Sequence, residues 1–147
     1  MDFSVKIEGL PALAQNSERI KQNIADEVNK AVFASAQKVA SDAKRSITSG
    51  QKSGRTYRRR TVTHQASAPG EAPASDTGRL VNDINAYLKG GGEAFTVAGR
   101  GTVVYARMLE FGTRLMAARP FFFPALEKNK AWIRDRIQDA VRRGLTK

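Results

Sequence analysis

The chain of 147 residues has no cysteine. Disulfides, thiolate metal sites and cysteine nucleophiles are therefore excluded, and the composition fits a reducing intracellular origin. It has one histidine, His64, and general-base chemistry needs a second group to orient the imidazole. The 14 acidic residues are scattered; Asp135 and Asp139, four apart, read as the exposed face of a helix. No stretch approaches the ~18 consecutive apolar residues of a membrane span. The opening Met1-Asp2-Phe3-Ser4 lacks the basic-then-apolar pattern of a signal peptide. Gly90-Gly91-Gly92 and Gly99-Arg100-Gly101 each precede a strand-like run rather than a helix, so they read as turns, not phosphate loops. Together these absences predict a non-enzymatic protein with no catalytic residue, metal or cofactor, and no membrane partner.

What the chain does have is positive charge. Twenty-five lysines and arginines give a net +11, which points to nucleic acid or acidic protein surfaces as partners. The excess is concentrated. Lys52, Arg55, Arg58, Arg59 and Arg60 follow one another without an acid, and residues 127–147 hold seven bases against three acids. The rest is close to balanced.

Hydrophobic periodicity predicts an α+β fold. Phe3, Val5 and Ile7 alternate with polar residues as a half-buried strand does. From about Leu13 to Ile47 the apolar positions Ile20, Ile24, Val28, Val32, Ala36, Val39 and Ala43 recur at helical spacing. Residues 50–75 carry Gly, Ser, Pro and Arg with few apolar anchors; they read as a long protruding loop, or a hairpin with a flexible tip. Asp76 or Thr77 can cap a short helix containing Leu80 and Ile84. Residues 86–88, 95–98 and 102–105 read as short antiparallel strands separated by glycine turns. Residues 106–111 form a helical turn or two ended by Gly112, and 119–124 are extended. A last helix follows, with Leu126, Ile133, Ile137, Val141 and Trp132 on its apolar face. The expectation is one domain over residues 1–147. A three- to four-stranded antiparallel sheet packs against a long N-terminal and a C-terminal helix.

Two groups of residues stand out as candidate contact sites. Lys52, Arg55, Tyr57, Arg58, Arg59 and Arg60 form a basic loop for a partner. The run Pro120-Phe121-Phe122-Phe123-Pro124 is too apolar for a solvated loop; its rings pin the C-terminal helix, dock into a neighbouring subunit, or both. Glu110 is also placed to form a charge pair with Arg119.

Tyr105-Ala106, Glu110-Phe111-Gly112-Thr113 and Ala118-Arg119-Pro120-Phe121 with Pro124-Ala125-Leu126 resemble the signature of a phage family. These are the tail-completion or head–tail joining (neck) proteins of long-tailed double-stranded DNA bacteriophages and prophages. Ala68-Pro69-Gly70-Glu71-Ala72-Pro73, Asp76-Thr77-Gly78-Arg79-Leu80 and Val5-Lys6-Ile7-Glu8-Gly9-Leu10 are similar to its upstream half. The resemblance implies a structural virion protein, assembled in the bacterial host cytoplasm and located at the head–tail junction. It implies a homo-oligomeric, commonly hexameric, ring between the head connector, adaptor or stopper and the tail tube or terminator. Tyr105, Glu110, Phe111, Gly112, Thr113, Arg119, Pro120, Phe121 and Pro124 would then serve structure or a subunit interface. Channel DNA is a further possible partner, and a small non-specific nucleic-acid-binding protein is the competing reading of the charge.

Overall fold

The computed structural model describes residues 9–89, 93–97 and 104–147. The chain is α+β, built on two long helices that lie side by side. Helix α1 spans Leu10–Ser49, forty residues or about 60 Å of rod. Pro11 stands in its first turn, where a missing N–H costs nothing. Helix α4 spans Phe122–Thr146. Contacts join Gly144 to Ile24, Lys147 and Arg143 to Glu27, and Asn129 to Asp42. Rising numbers on one helix meet falling numbers on the other, so the pair is antiparallel.

The seam between these helices is narrower than hydrophobicity suggests. On α4 the fully buried positions are Ala125, Asn129, Ala140 and Gly144. Ile133, Ile137 and Val141 are half-buried, and Leu126 and Trp132 are exposed. A Cβ on Gly144 would lie 2.5 Å from the Ile24 Cα, so the two backbones meet there with no room for a side chain. Close helix approach selects small residues and moves the larger ones to the flanks.

Between α1 and α4 the described residues form two antiparallel strand pairs and two short helices. Strands β1 (Thr56–Arg59) and β2 (Val62–Gln65) form the first hairpin. Helix α2 (Arg79–Asp83) follows, then β3 (Asn85–Lys89) paired with β4 (Glu93–Val97), and helix α3 (Ala106–Phe111). The sheets of the described residues therefore have two strands each. The expected strand at Phe3, Val5 and Ile7, the glycine turns at 90–92 and 99–101, and most of the expected 102–105 strand lie outside the described residues. Val104 and Tyr105 form a turn into α3. The core gathers Val39, Ala43 and Ile47 of α1, Leu80, Ile84, Ala106, and Phe121 with Ala125 at the start of α4.

Two local expectations change. Neither Asp76 nor Thr77 caps α2: Gly78 holds the N-cap position at φ 73° without a side-chain bond, and Asp76 is engaged elsewhere. Residues 122–124 are the first turn of α4, not extended chain.

Candidate functional site: the α3–α4 corner and the basic hairpin

The start of α4 poses a specific problem. A helix leaves four N–H groups at its N-terminus without intrahelical partners, and the N-cap residue here is Phe121, whose side chain has no acceptor to offer. Glu110, on α3, supplies the acceptor from outside the helix. Its carboxylate takes the N–H groups of Phe121 at 2.8 Å, Phe122 at 3.0 Å and Phe123 at 2.8 Å. The fourth position is Pro124, which has no N–H. All four groups are thus satisfied or absent. The carboxylate is buried, and its charge also meets the positive end of the helix dipole.

Arg119 does not pair with Glu110. Its backbone N–H donates to the Leu109 carbonyl at 2.7 Å, and its Nη2 donates to the Ser67 carbonyl at 3.2 Å. Gly70 N–H donates to the Ala118 carbonyl at 2.9 Å. The corner thus anchors the distant 67–70 segment. Gly112 makes the turn out of α3 at φ 75°, and a Cβ there would lie 2.8 Å from the Met116 carbonyl oxygen. Thr113 and Met116 then close a tight loop, bonded in both directions, with Leu115 exposed at its tip.

The motif divides into an inner and an outer set. Phe121 is 1% exposed, and Phe122 is half-buried with its ring 5.0 Å from that of Phe121. Phe123, Phe111 and Tyr105 face solvent. Phe111, Phe122, Phe123, Leu126 and Ile133 line one open groove of about 510 Å³ against Val32–Val39 of α1.

The basic residues divide in the same way. Lys52 folds inward, donating to the carbonyls of Ser46 at 3.1 Å and Ala72 at 2.7 Å, and burial lowers its pKa. Arg59 and His64 share the Asp76 carboxylate, with His64 Nε2 at 3.0 Å. Tyr57 stacks on His64 across the strand pair, ring centroids 5.9 Å apart. Arg55, Arg58 and Arg60 are exposed, and among the described residues their guanidinium groups have no hydrogen-bond or ion-pair partner. The hairpin root is fixed by Glu71, which accepts Ser53 Oγ at 2.5 Å, Ser53 N–H at 3.0 Å and Ala68 N–H at 2.8 Å. Those bonds, the Ser53 hydroxyl first, hold its carboxyl below the usual range.

Among the described residues no group of three or more His, Asp or Glu could hold a metal ion. No helix there is long and apolar enough to cross a membrane. Sequence reasoning missed two residues that organise this surface, Glu71 and Asp76. Both fall within the motif segments, but carboxylates that meet partners 17 or 18 residues away carry no local signal.

Comparison with known proteins identifies the family. Residues 12–112 match the HK97-gp10-like family, described as "Bacteriophage HK97-gp10, putative tail-component". The match covers more than half of the chain, and the protein belongs to this family of phage tail components, a structural class. No curated protein and no solved structure matches.

Proposed function

We propose that the protein is a subunit of the phage neck, where a ring of identical chains, a hexamer, completes the tail and joins it to the head. The ring would stand between the head connector, adaptor or stopper on one side and the tail tube or terminator on the other. It would form in the host cytoplasm and remain in the virion. The whole chain acts as one unit, and the β1–β2 hairpin reaches an acidic face of a neighbouring virion protein. Membership in a tail-component family supports the structural role. The observation that carries the joining role is the hairpin itself. Three arginines, Arg55, Arg58 and Arg60, stand unpaired on an element rooted firmly by Glu71. Their guanidinium groups make no contact that holds the described residues together.

Arg55 and Ala66 already face each other, Ala66 N–H donating to the Arg55 carbonyl at 3.0 Å. Residues 56–65 can therefore be replaced by a short Gly-Ser link without disturbing the body. A phage carrying that replacement should yield folded protein but unjoined heads and tails in electron micrographs. A normal titre of infectious particles would refute the joining role of the hairpin.

The same free arginines support a second reading, contact with channel DNA. Neutralising three phosphates gives a salt slope of about −2.7 on duplex DNA. Binding of labelled DNA with that slope, lost on Arg55, Arg58 and Arg60→Ala, would favour DNA. Absence of binding at low salt removes it.

A further inference from the structure

Two uncovered apolar features lie at opposite places on the chain. The first is the groove lined by Phe111, Phe122, Phe123, Leu126 and Ile133. Its ionisable lining consists of Arg107 and Glu110, and Glu110 is taken up by the α4 backbone. Arg107 is exposed, so the lining between these two groups is apolar, and Phe123 is 62% exposed. The second is the tip of α1. Helix α4 ends against Ile24 and Glu27, so the first turns of α1 extend beyond it. Every residue from 10 to 19 is exposed. Residues 10–17 read Leu-Pro-Ala-Leu-Ala-Gln-Asn-Ser, with no charge, in a chain that is 27% charged. Leu10 and Leu13, three apart on one face, are 54% and 66% exposed.

We propose that the α1 tip of one subunit docks in the α3–α4 groove of the next copy of this chain, with Leu10 and Leu13 as anchors. An uncharged helix end enters an apolar groove without stripping water from an ion, whereas the charged stretch from Glu18 onward would not. The match is the helix-in-groove mode, read through anchors one turn apart. A tip that fills this groove must come from another copy. The groove wall on α1 begins at Val32, nineteen residues or about 28 Å along the same continuous helix from Leu13, so a subunit's own tip cannot reach it. Tip and groove are different surfaces, so the contact is head-to-tail, the type that closes into rings when its rotation allows. This inference rests on the ring reading above and specifies the contact that builds it.

The test uses the full chain with Leu13→Asp and Phe123→Asp. Both side chains are largely exposed, so both variants should melt and show circular dichroism like the parent. Light scattering after size exclusion should find the parent assembled. Each variant alone should be a monomer, or need at least about tenfold more protein for half-assembly. An equal mixture should give a dimer that grows no further, because L13D keeps an intact groove and F123D an intact tip. Variants that assemble like the parent would overturn this contact and leave a ring built by another surface. A mixture with no dimer would overturn it too. A parent chain that stays monomeric would overturn self-docking. If Phe123→Asp then still blocked complementation of a phage lacking this protein, the groove would belong to a different virion protein.

Discussion

The α3–α4 corner and the root of the β1–β2 hairpin use one device in two settings. In both, a single carboxylate gathers backbone N–H groups from a remote segment. At the corner Glu110 is buried, takes three groups of one helix and fixes Phe121 in the core. At the hairpin root Glu71 is only partly shielded and joins two strands of loop. A second carboxylate, Asp76, holds Arg59 and His64. A charged hydrogen bond strengthens as water is excluded. The corner is therefore part of what keeps the chain folded, and the root is part of what keeps one element aimed. The corner presents apolar rings and the hairpin presents cations, and each is held from behind by a carboxylate.

The largest effect should come from Glu110→Ala. One buried and two part-buried donors would lose their acceptor, and at ~1–3 kcal/mol for each unsatisfied group the loss of unfolding free energy should be about 3 kcal/mol. Urea denaturation measures it; a change near zero would place the corner on the same footing as the hairpin. Acid comes next, through the helix pair. Lys147 and then Lys30 hydrogen-bond Glu27 and lower its pKa from 4.5 to about 2. A carboxyl depressed by folding contributes stability above its ordinary value and loses it as pH falls through the folded one. The melting temperature should therefore drop between about pH 4.5 and pH 2, and Glu27→Gln should flatten that drop. Glu71 is depressed in the same direction. Glu71→Ala should loosen the root with a smaller change in melting temperature than Glu110→Ala, seen as faster amide exchange at Ser53 and Ala68. Asp76→Ala should have the smallest global effect, under about 1 kcal/mol, as expected for exposed ion pairs. It should still speed exchange across residues 56–65. If it melts the chain globally instead, the hairpin is part of the core assembly and the contrast fails.

Periodicity made the long helix legible: its apolar spacing marks nearly the whole of α1, and Gly112 declares its turn in the sequence. The inner face of α4 was not legible. A hydrophobicity pattern ranks side chains by size, so it points to Leu126 and Trp132, whereas the crossing at Ile24 admits only Gly144 and its small neighbours. The same limit applies to the site. Glu110 stood out within its motif, but its role did not, because capping a helix that begins eleven residues later depends on how the chain folds back. The division of the basic residues was equally hidden. Lys52 and Arg59 look no different from Arg55 and Arg58 until Ser46, Ala72 and Asp76 are brought beside them.

The uncovered end of α1 also constrains how this chain can change. Each residue added to or removed from an α-helix turns everything beyond it by about 100° and shifts it by about 1.5 Å. A single deletion between Glu18 and Ile24 would leave the helix intact and both leucines present, yet point Leu10 and Leu13 to another quarter of the compass. Length variation in this stretch is therefore quantised. Changes of four, seven or eleven residues bring the heading back to within about 40°, whereas changes of one or two turn it by about 100° or more. On the docking proposed above, the rod would work as a ruler with a keyed end, its length set by what the key must fit.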